Sequence, residues 1–249
     1  MCNKDKVKIG IIGAMETEVA ALKEAMETAR TEVIADMTFH EGLLCGQEAV
    51  VVQCGVGKVN AGICTQTLIR EFGATHIINT GVAGSLNNQI DIGDFVICVD
   101  AVQHDFDVSA LGFARGEVPY TGIAAFKADP LLRKKAVEAV RRDAPGHQVF
   151  EGRICSGDQF INRIAQKEEI LNNFGGDCCE MEGAAIAQVC HLNHTPFVII
   201  RAISDKPDGS EFVNFPEFSK EAAANCARIG CSMVSHFECP QLALQAGSR

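Results

Sequence analysis

The sequence predicts an α/β fold, built as a single three-layer α/β/α domain around a central mixed, mostly parallel sheet. Short β-branched runs alternate with longer amphipathic segments along the chain, and no Pro/Ser-rich linker or internal repeat divides it. Strands that alternate with helices form a parallel sheet that helices cover on both faces. With 249 residues, 47% of them hydrophobic, the chain can bury a large core. We therefore expect one domain over residues 1–249, with a core at about 7–238.

The first half of the chain contains most of the predicted strands. Residues 7–12 are a buried run, and residues 15–29 are predicted to be helical because Met15, Val19, Leu22 and Met26 would share one face. Further strands are expected at 32–39, 41–44, 49–53, 76–79 and 95–102, and a helix at 59–72. The glycine-containing stretch 103–127 is predicted to be a long loop, and such loops are usually functional in a compact domain.

The second half repeats the alternation of helices and strands. Helices are expected at 130–142, 163–172, 183–193 and about 216–237, and strands at 148–154, 178–181 and 197–203. In such a fold, ligands bind beyond the carboxyl ends of the strands, so polar residues at those ends are the candidates for chemistry.

Composition excludes several classes of partner. The net charge of −10 argues against nucleic acid and anionic membranes, because both require a basic surface. No apolar run approaches the roughly 20 residues of a membrane helix, and the N-terminal apolar run is too short for an export signal. The 12 cysteines include no C-x-x-C pair, so we expect reduced, mostly buried thiols in a cytosolic protein.

Two strand ends carry weaker signals. Residues 13–18 follow the first strand and offer Glu16 and Glu18 as candidate catalytic acids, although acids in a first helical turn also favour the helix dipole. The glycine-rich turns 55–58 and 81–85 would allow a ligand close to the backbone. Neither turn is a dinucleotide fingerprint or a P-loop.

Two other strand ends carry stronger signals. Glu180 and Glu182 lie between an apolar strand and an apolar helix, where buried carboxylates need hydrogen-bond partners. Arg201 lies in an otherwise apolar strand that ends in Ser204 and Asp205, and it requires an anion. Glu180, Glu182 and Asp205 are the candidates for that anion. A strand that ends in Ser-Asp at the ligand edge is placed for acid–base chemistry.

A few remaining features are weaker. His191 and His194, near Cys190, resemble a metal site, but a pair of solvated histidines at a helix end is the more common explanation of such spacing. The sequence contains no G-x-S-x-G elbow and no H-E-x-x-H pair, which excludes the common hydrolase triads and zincins. No metal site is predicted.

Six motifs carry a resemblance to a known family. They are IGIIGAME at 9–16, CGVGKVNA at 54–61, NTGVAG at 79–84, SGDQFI at 156–161, EMEGAA at 180–185 and RAISD at 201–205. Together they resemble the 5′-methylthioadenosine/S-adenosylhomocysteine nucleosidases of the nucleoside phosphorylase superfamily. The resemblance implies a cytoplasmic homodimer, without cofactor, that hydrolyses the N-ribosidic bond of methylthioadenosine, adenosylhomocysteine and 5′-deoxyadenosine. It also implies release of adenine and a place in methionine salvage.

The resemblance assigns roles to matching positions. Glu18 resembles the base that activates water, Asp205 the acid that protonates adenine N7, and Glu182 the acceptor for ribose hydroxyls. For Asp205 to carry a proton near neutral pH, its apolar strand end must bury it. The implied substrate-binding residues are Met15, Val56, Ala83, Gly84, Phe160, Ile161, Glu180, Met181, Arg201, Ser204 and Phe215. Leu111 and Pro119 of the long loop would reach the partner's 5′-substituent pocket.

The sequence departs from the family pattern at two positions, and there are two alternative functions to consider. Val82 stands where many relatives have serine, and Leu111 where an aromatic residue is common, and both bear on the preference for the 5′-group. A purine nucleoside phosphorylase is the nearest alternative, but phosphate needs cations and only Lys58 lies near the proposed nucleophile. The other alternative is a nucleoside sensor without catalysis, which is disfavoured because Glu18, Glu182 and Asp205 are all present.

Overall fold

The computed structural model describes residues 7–207 and 215–237, with side chains described only from residue 220 in the second segment. Ten strands are β1 (Ile9–Gly13), β2 (Met26–Ile34), β3 (Met37–Leu44), β4 (Gln47–Gln53), β5 (His76–Ser85), β6 (Phe95–Gln103), β7 (Phe126–Lys127), β8 (Val149–Ser156), β9 (Cys178–Glu180) and β10 (Phe197–Asp205) within those residues. The α-helices are α1 (Glu16–Glu24), α2 (Lys58–Arg70), α3 (Pro130–Asp143), α4 (Ile164–Phe174), α5 (Gly183–Leu192) and α6 (Phe215–Ser235).

The strands form one mixed sheet in the order β10-β6-β8-β9-β5-β1-β4-β3-β2. Strand β10 also pairs with β5, so that part of the sheet closes into a ring of five strands. Parallel pairs join β1 to β4 and β5, β10 to β5, and β8 to β6 and β9. The mixed sheet is confirmed. Its antiparallel pairs are the hairpins β2–β3 and β3–β4 and the pairs β10–β6, β5–β9 and β6–β7.

Helices cover both faces of this sheet, as predicted. One apolar cluster packs α2 and α5 against one face, and a second packs α1, α3 and α6 against the other. Eight of the ten cysteines in the described part of the chain are buried, and all ten are free thiols. None of the helices within residues 7–207 and 215–237 has the length and apolarity needed to cross a bilayer.

The predicted elements between residues 15 and 53 are partly wrong. The helix ends at Glu24 rather than at residue 29, because the chain from Met26 onward pairs with β3. The strand predicted at 32–39 is interrupted by a two-residue turn, in which Ala35 and Asp36 have φ values of 52° and 60°. Positive φ at both central residues is the geometry that reverses a tight hairpin, so two antiparallel strands replace the single one.

The stretch 103–127 is less irregular than predicted. It contains a short 3-10 helix at Ser109–Leu111, an isolated bridge between Val118 and Ile123, and β7. Strand β5 pairs in parallel with both β1 and β10, so the carboxyl ends of the three strands lie at one edge of the sheet. That edge brings together the segment that follows Gly13, the last residues of β5 and Asp205 at the end of β10.

Candidate active site

A cavity of about 280 Å³ lies at the carboxyl ends of β1, β5 and β10. Twelve of the predicted site residues line it: Met15, Glu18, Val56, Ala83, Gly84, Phe160, Ile161, Glu180, Met181, Glu182, Ser204 and Asp205. Of the other four lining residues, Val82 had been singled out for the preference for the 5′-group, and Ala14, Gln159 and Cys179 were not predicted as site residues. The cavity walls are thus mostly apolar, with carboxylates at a few positions, which is typical of a site for a small organic ligand.

Three predicted site residues lie outside this cavity, and the side chain of a fourth lies outside the described residues. Arg201 is fully buried and does not line the cavity, so its contribution is indirect. Leu111 is 72% exposed and Pro119 is half-buried, both in the long loop outside the cavity of their own chain. The side chain of Phe215 lies outside the described residues.

Glu18 lies in the first turn of α1, where its carboxylate accepts three backbone hydrogen bonds. Oε2 accepts from the N–H groups of Ala14 at 2.7 Å and Met15 at 2.9 Å, and Oε1 accepts from Val82 at 3.0 Å. A carboxylate has about four acceptor positions, so one on Oε1 remains for a water or ligand hydroxyl. Burial raises the pKa of Glu18, in opposition to Arg201 and to these backbone donors.

Glu182 stands immediately before α5 and is 6% exposed. Its Oε1 accepts a 2.8 Å hydrogen bond from the backbone N–H of Gly57, at the start of α2. Burial and repulsion by the neighbouring Glu180 raise the pKa of Glu182 to about 7. The group can therefore change its charge within the physiological pH range.

Glu180 is the anion that Arg201 requires, among the three that the sequence left open. Nη2 of Arg201 lies 2.5 Å from Oε2 of Glu180 and also donates to Oδ1 of Asn79. Ser156 Oγ and the Gly183 backbone N–H donate to the same carboxylate. Burial disfavours the charge of Arg201, but the carboxylates around it raise its pKa overall. This buried pair holds the segment between β9 and α5, which carries Glu182.

Asp205 ends β10, and its surroundings differ from the predicted apolar strand end. Nζ of Lys167 in α4 lies 2.5 Å from Oδ2 of Asp205, and Ser204 Oγ lies 3.2 Å from Oδ1. The expected apolar surroundings of Asp205 are wrong, because an ammonium group contacts its carboxyl group directly. Lys167 was missed because a lysine in a polar helix is ordinarily solvated.

Two glycines of β5 make room for the two outer carboxylates. A Cβ atom at Gly81 would lie 2.5 Å from Oε1 of Glu18, and one at Gly84 would lie 2.9 Å from Oδ2 of Asp205. Three residues of extended strand span about 10 Å. Glu18 and Asp205 therefore approach the strand at separate points, on either side of Val82 and Ala83.

The segment that carries Phe160 and Ile161 is anchored by a polar network. Asp158 accepts the backbone N–H of Lys58 at 2.8 Å, and its own N–H donates to Asp105 at 2.8 Å. Nζ of Lys58 contacts Asp105 at 2.6 Å. Phe160 remains 58% exposed at the mouth of the cavity while Ile161 is buried, so the segment presents one open and one enclosed apolar side chain.

The histidines that resemble a metal site are placed otherwise. The ring of His191 packs against Phe126 with 5.7 Å between centroids, and Cys190 is buried in the core. Within residues 7–207 and 220–237, no three His, Cys, Asp or Glu side chains are grouped to hold a metal ion.

This fold, with carboxylates at the ends of β1 and β10 facing one cavity, defines an enzyme of the nucleoside phosphorylase-like class. The family model described as the phosphorylase superfamily matches residues 8–235, and the chain belongs to that superfamily. The 5′-methylthioadenosine/S-adenosylhomocysteine nucleosidase of Shewanella loihica is 42% identical over 92% of this chain and 100% of its own length. The resemblance predicted from the motifs is thus confirmed.

Solved structures agree with this relationship. The nucleosidase of the same name from Neisseria meningitidis, in complex with methylthio-immucillin-A, is 42% identical, with a TM-score of 0.87 over 92% of this chain and 99% of that one. The futalosine hydrolase of Helicobacter pylori is 32% identical, with a TM-score of 0.86 over 93% of this chain and 98% of that one.

Proposed function

We propose that this protein hydrolyses the N-ribosidic bond of 5′-methylthioadenosine, S-adenosylhomocysteine and 5′-deoxyadenosine. The products are adenine and the 5′-substituted ribose, and the reaction serves methionine salvage and removal of adenosylhomocysteine in the cytoplasm. The relatives named above support the substrate class. The structure supports the type of reaction, through the charge of the cavity.

The observation that carries hydrolysis is the composition of the cavity wall. Its described residues include the carboxylates of Glu18, Glu180, Glu182 and Asp205 and no lysine or arginine. Where Glu18 and Glu182 are ionised, they repel phosphate, favour a cationic ribose and can accept a proton from water. Lys58, the cation a phosphorylase would need here, is instead paired with Asp105 at 2.6 Å. A water molecule is therefore the nucleophile.

In this proposal, Glu18 and Glu182 act on the water and the sugar at one end of the cavity, and Asp205 acts on the purine at the other end. Glu18 accepts a proton from the attacking water at its free acceptor position. Ionised Glu182 accepts hydrogen bonds from the ribose hydroxyls and stabilises the oxocarbenium-like transition state. Asp205 donates a proton to N7 of the departing purine, which Phe160 and Ile161 hold. Glycosidic bond cleavage of this kind combines an acid at the leaving group with carboxylates at the sugar.

The decisive experiment measures adenine release from methylthioadenosine with and without inorganic phosphate. Hydrolysis is expected at the same rate in both, with free 5′-methylthioribose as the product. Strict dependence on phosphate, with a ribose-1-phosphate product, would establish a phosphorylase. Binding without turnover would establish a sensor.

A second substrate is suggested by one comparison. The futalosine hydrolase of Helicobacter pylori shares the fold at 32% identity. A comparison of kcat/KM for methylthioadenosine, adenosylhomocysteine, 5′-deoxyadenosine and aminofutalosine ranks the substrates. We expect methylthioadenosine or adenosylhomocysteine to lead, and a leading aminofutalosine would move the enzyme to a different pathway.

The active form is a homodimer in this proposal, with Leu111 and Pro119 reaching the partner's pocket. Apolar side chains are exposed on α2 and in the long loop, with Val59 at 73%, Leu111 at 72% and Tyr120 at 93%. The Lys58–Asp105 pair brings the start of α2 next to the start of that loop. Sedimentation velocity should give a dimer, and Leu111→Asp should weaken it and raise KM. An active wild-type monomer would overturn this part.

A further inference from the structure

Lys167 occupies an unusual position in α4. The buried residues of this helix are Lys167 and Ile170, and its other side chains are half-buried or exposed. Lysine is almost never fully buried unless it is paired, yet this side chain is 3% exposed. Its ammonium group lies 2.5 Å from Oδ2 of Asp205 and 2.8 Å from the backbone oxygen of Lys206. The helix thus presents a cation, not an apolar side chain, to the end of β10.

The contacts of Asp205 leave little freedom to its carboxyl group. Lys167 holds Oδ2, Ser204 Oγ lies 3.2 Å from Oδ1, and the Cα of Gly84 lies against the carboxyl face. From β9, the Cys179 thiol also faces this group. The ammonium group of Lys206, which follows Asp205 in the chain, is paired with Asp91. The orientation of the Asp205 carboxyl group is therefore governed from α4.

We propose that Lys167 is a positioning residue for the proton transfer, an inference that rests on the proposed function. It orients the Asp205 carboxyl group for the transfer. In this step the proton moves from Asp205 to N7 of the purine, and the C1′–N9 bond breaks with its electron pair going to the purine. Water adds to C1′ and gives its proton to Glu18. The ammonium group holds Oδ2 and so fixes the carboxyl group in one orientation for the transfer.

The same ion pair also connects two parts of the cavity wall. Helix α4 follows directly on the segment 158–163, which carries Phe160 and Ile161. Lys167 fastens this helix to the strand end that carries the proposed acid, over a separation of 38 residues. A purine held by that segment would therefore keep a fixed position relative to Asp205. This second effect is structural, so the test must separate it from the effect on proton transfer.

The test measures kcat and KM for methylthioadenosine with Lys167→Met, which keeps the side-chain length and removes the charge. Loss of a hydrogen bond to a charged group predicts a fall in kcat of about 10- to 100-fold. We expect KM to change by less than about threefold, and Lys167→Arg to restore most of kcat because it keeps the cation. Glu168→Gln, the neighbouring exposed position, is the matched control and should leave both constants unchanged.

A double-mutant cycle with Asp205→Asn separates positioning from folding. If Lys167 acts through Asp205, Lys167→Met has no further effect on kcat in the Asp205→Asn background. Equal losses in both backgrounds, an unchanged kcat in Lys167→Met, or an arginine variant as slow as the methionine one would overturn the proposal. If Lys167→Met does not fold, Lys167→Gln takes its place. An active wild type confines any such failure to Lys167, whereas an inactive wild type overturns the proposed function itself.

Discussion

The backbone N–H of Gly57 donates a 2.8 Å hydrogen bond to Oε1 of Glu182 across 125 residues of sequence. This contact joins the glycine turn before α2 to the acidic segment before α5, so two distant motifs form one wall of the cavity. It partly offsets the burial of Glu182, whose pKa nevertheless lies at about 7. The charge of this wall therefore depends on pH in the range where the enzyme would work.

Activity should fall below pH 7 because Glu182 becomes protonated and no longer stabilises a cationic ribose. The pH dependence of kcat/KM reports groups of the free enzyme, so we expect its acidic limb near pH 7. Measurements of kcat/KM from about pH 5 to about pH 9, roughly two units on either side of that pKa, check this. Glu182→Gln should lower the plateau and remove the limb. A limb that persists at the same pH in this variant would belong to Glu18.

The charged form of Glu182 should also lower the free energy of unfolding at alkaline pH. The folded pKa of about 7 exceeds the ordinary value of 4.5, so the folded state holds the proton more tightly than the unfolded one. This contribution to stability is present in full below the pKa of Glu182 in the unfolded state. It is lost as the pH rises through the pKa of the folded state. Glu182→Gln should therefore raise the free energy of unfolding by about 1–3 kcal/mol at alkaline pH and little in acid. Urea titrations of both proteins at the two pH values measure the difference, and an equal effect at both would contradict it.

Asp205→Asn should retain the fold and lose most activity. The amide is close to the carboxyl in shape but cannot donate the required acidic proton, so adenine release should fall by about 100-fold or more. Circular dichroism and thermal unfolding verify the fold, and initial rates measure the loss. Turnover at the wild-type rate would remove Asp205 from the acid role.

Gly84→Ala should damage activity more than stability. The new Cβ would lie 2.9 Å from a carboxylate oxygen of Asp205, which must then move away from its position beside Lys167. We expect kcat to fall by about tenfold or more, the cost of a misplaced catalytic group. Gly146→Ala is the matched control, because no heavy atom lies within 4 Å of the added Cβ there. Equal kinetics in the two variants would refute the steric argument.

Arg201→Met should destabilise the fold strongly. It leaves Glu180 buried without its cation, and such losses cost about 3–5 kcal/mol. The double variant with Glu180→Gln removes the uncompensated charge and should recover a substantial part of the loss. Chemical denaturation of the wild type and the three variants measures the coupling, and additive losses would show that the two side chains act independently.

Much of the site was predictable because its motifs follow strands that are strongly apolar. The runs that became β1, β5 and β10 are recognisable from local composition, and parallel strands present their carboxyl ends at one edge. Asp205 and the acids Glu16 and Glu18 could therefore be placed at that edge from the pattern, and only the family resemblance singled out Glu18. The hairpin at Ala35 and Asp36 could not, because it reverses the chain without the glycine that usually marks a positive φ.

The sequence by itself determined the α/β class, the family and the edge of the sheet where the carboxylates gather, since these depend on local periodicity and on motifs. Only the tertiary structure decided which anion neutralises Arg201 and that Lys167 is paired with Asp205. The reason is physical: the cost of burying a charge depends on neighbours that other segments supply. A lysine in a polar helix and a lysine beside an acid look alike in the sequence until the chain has folded.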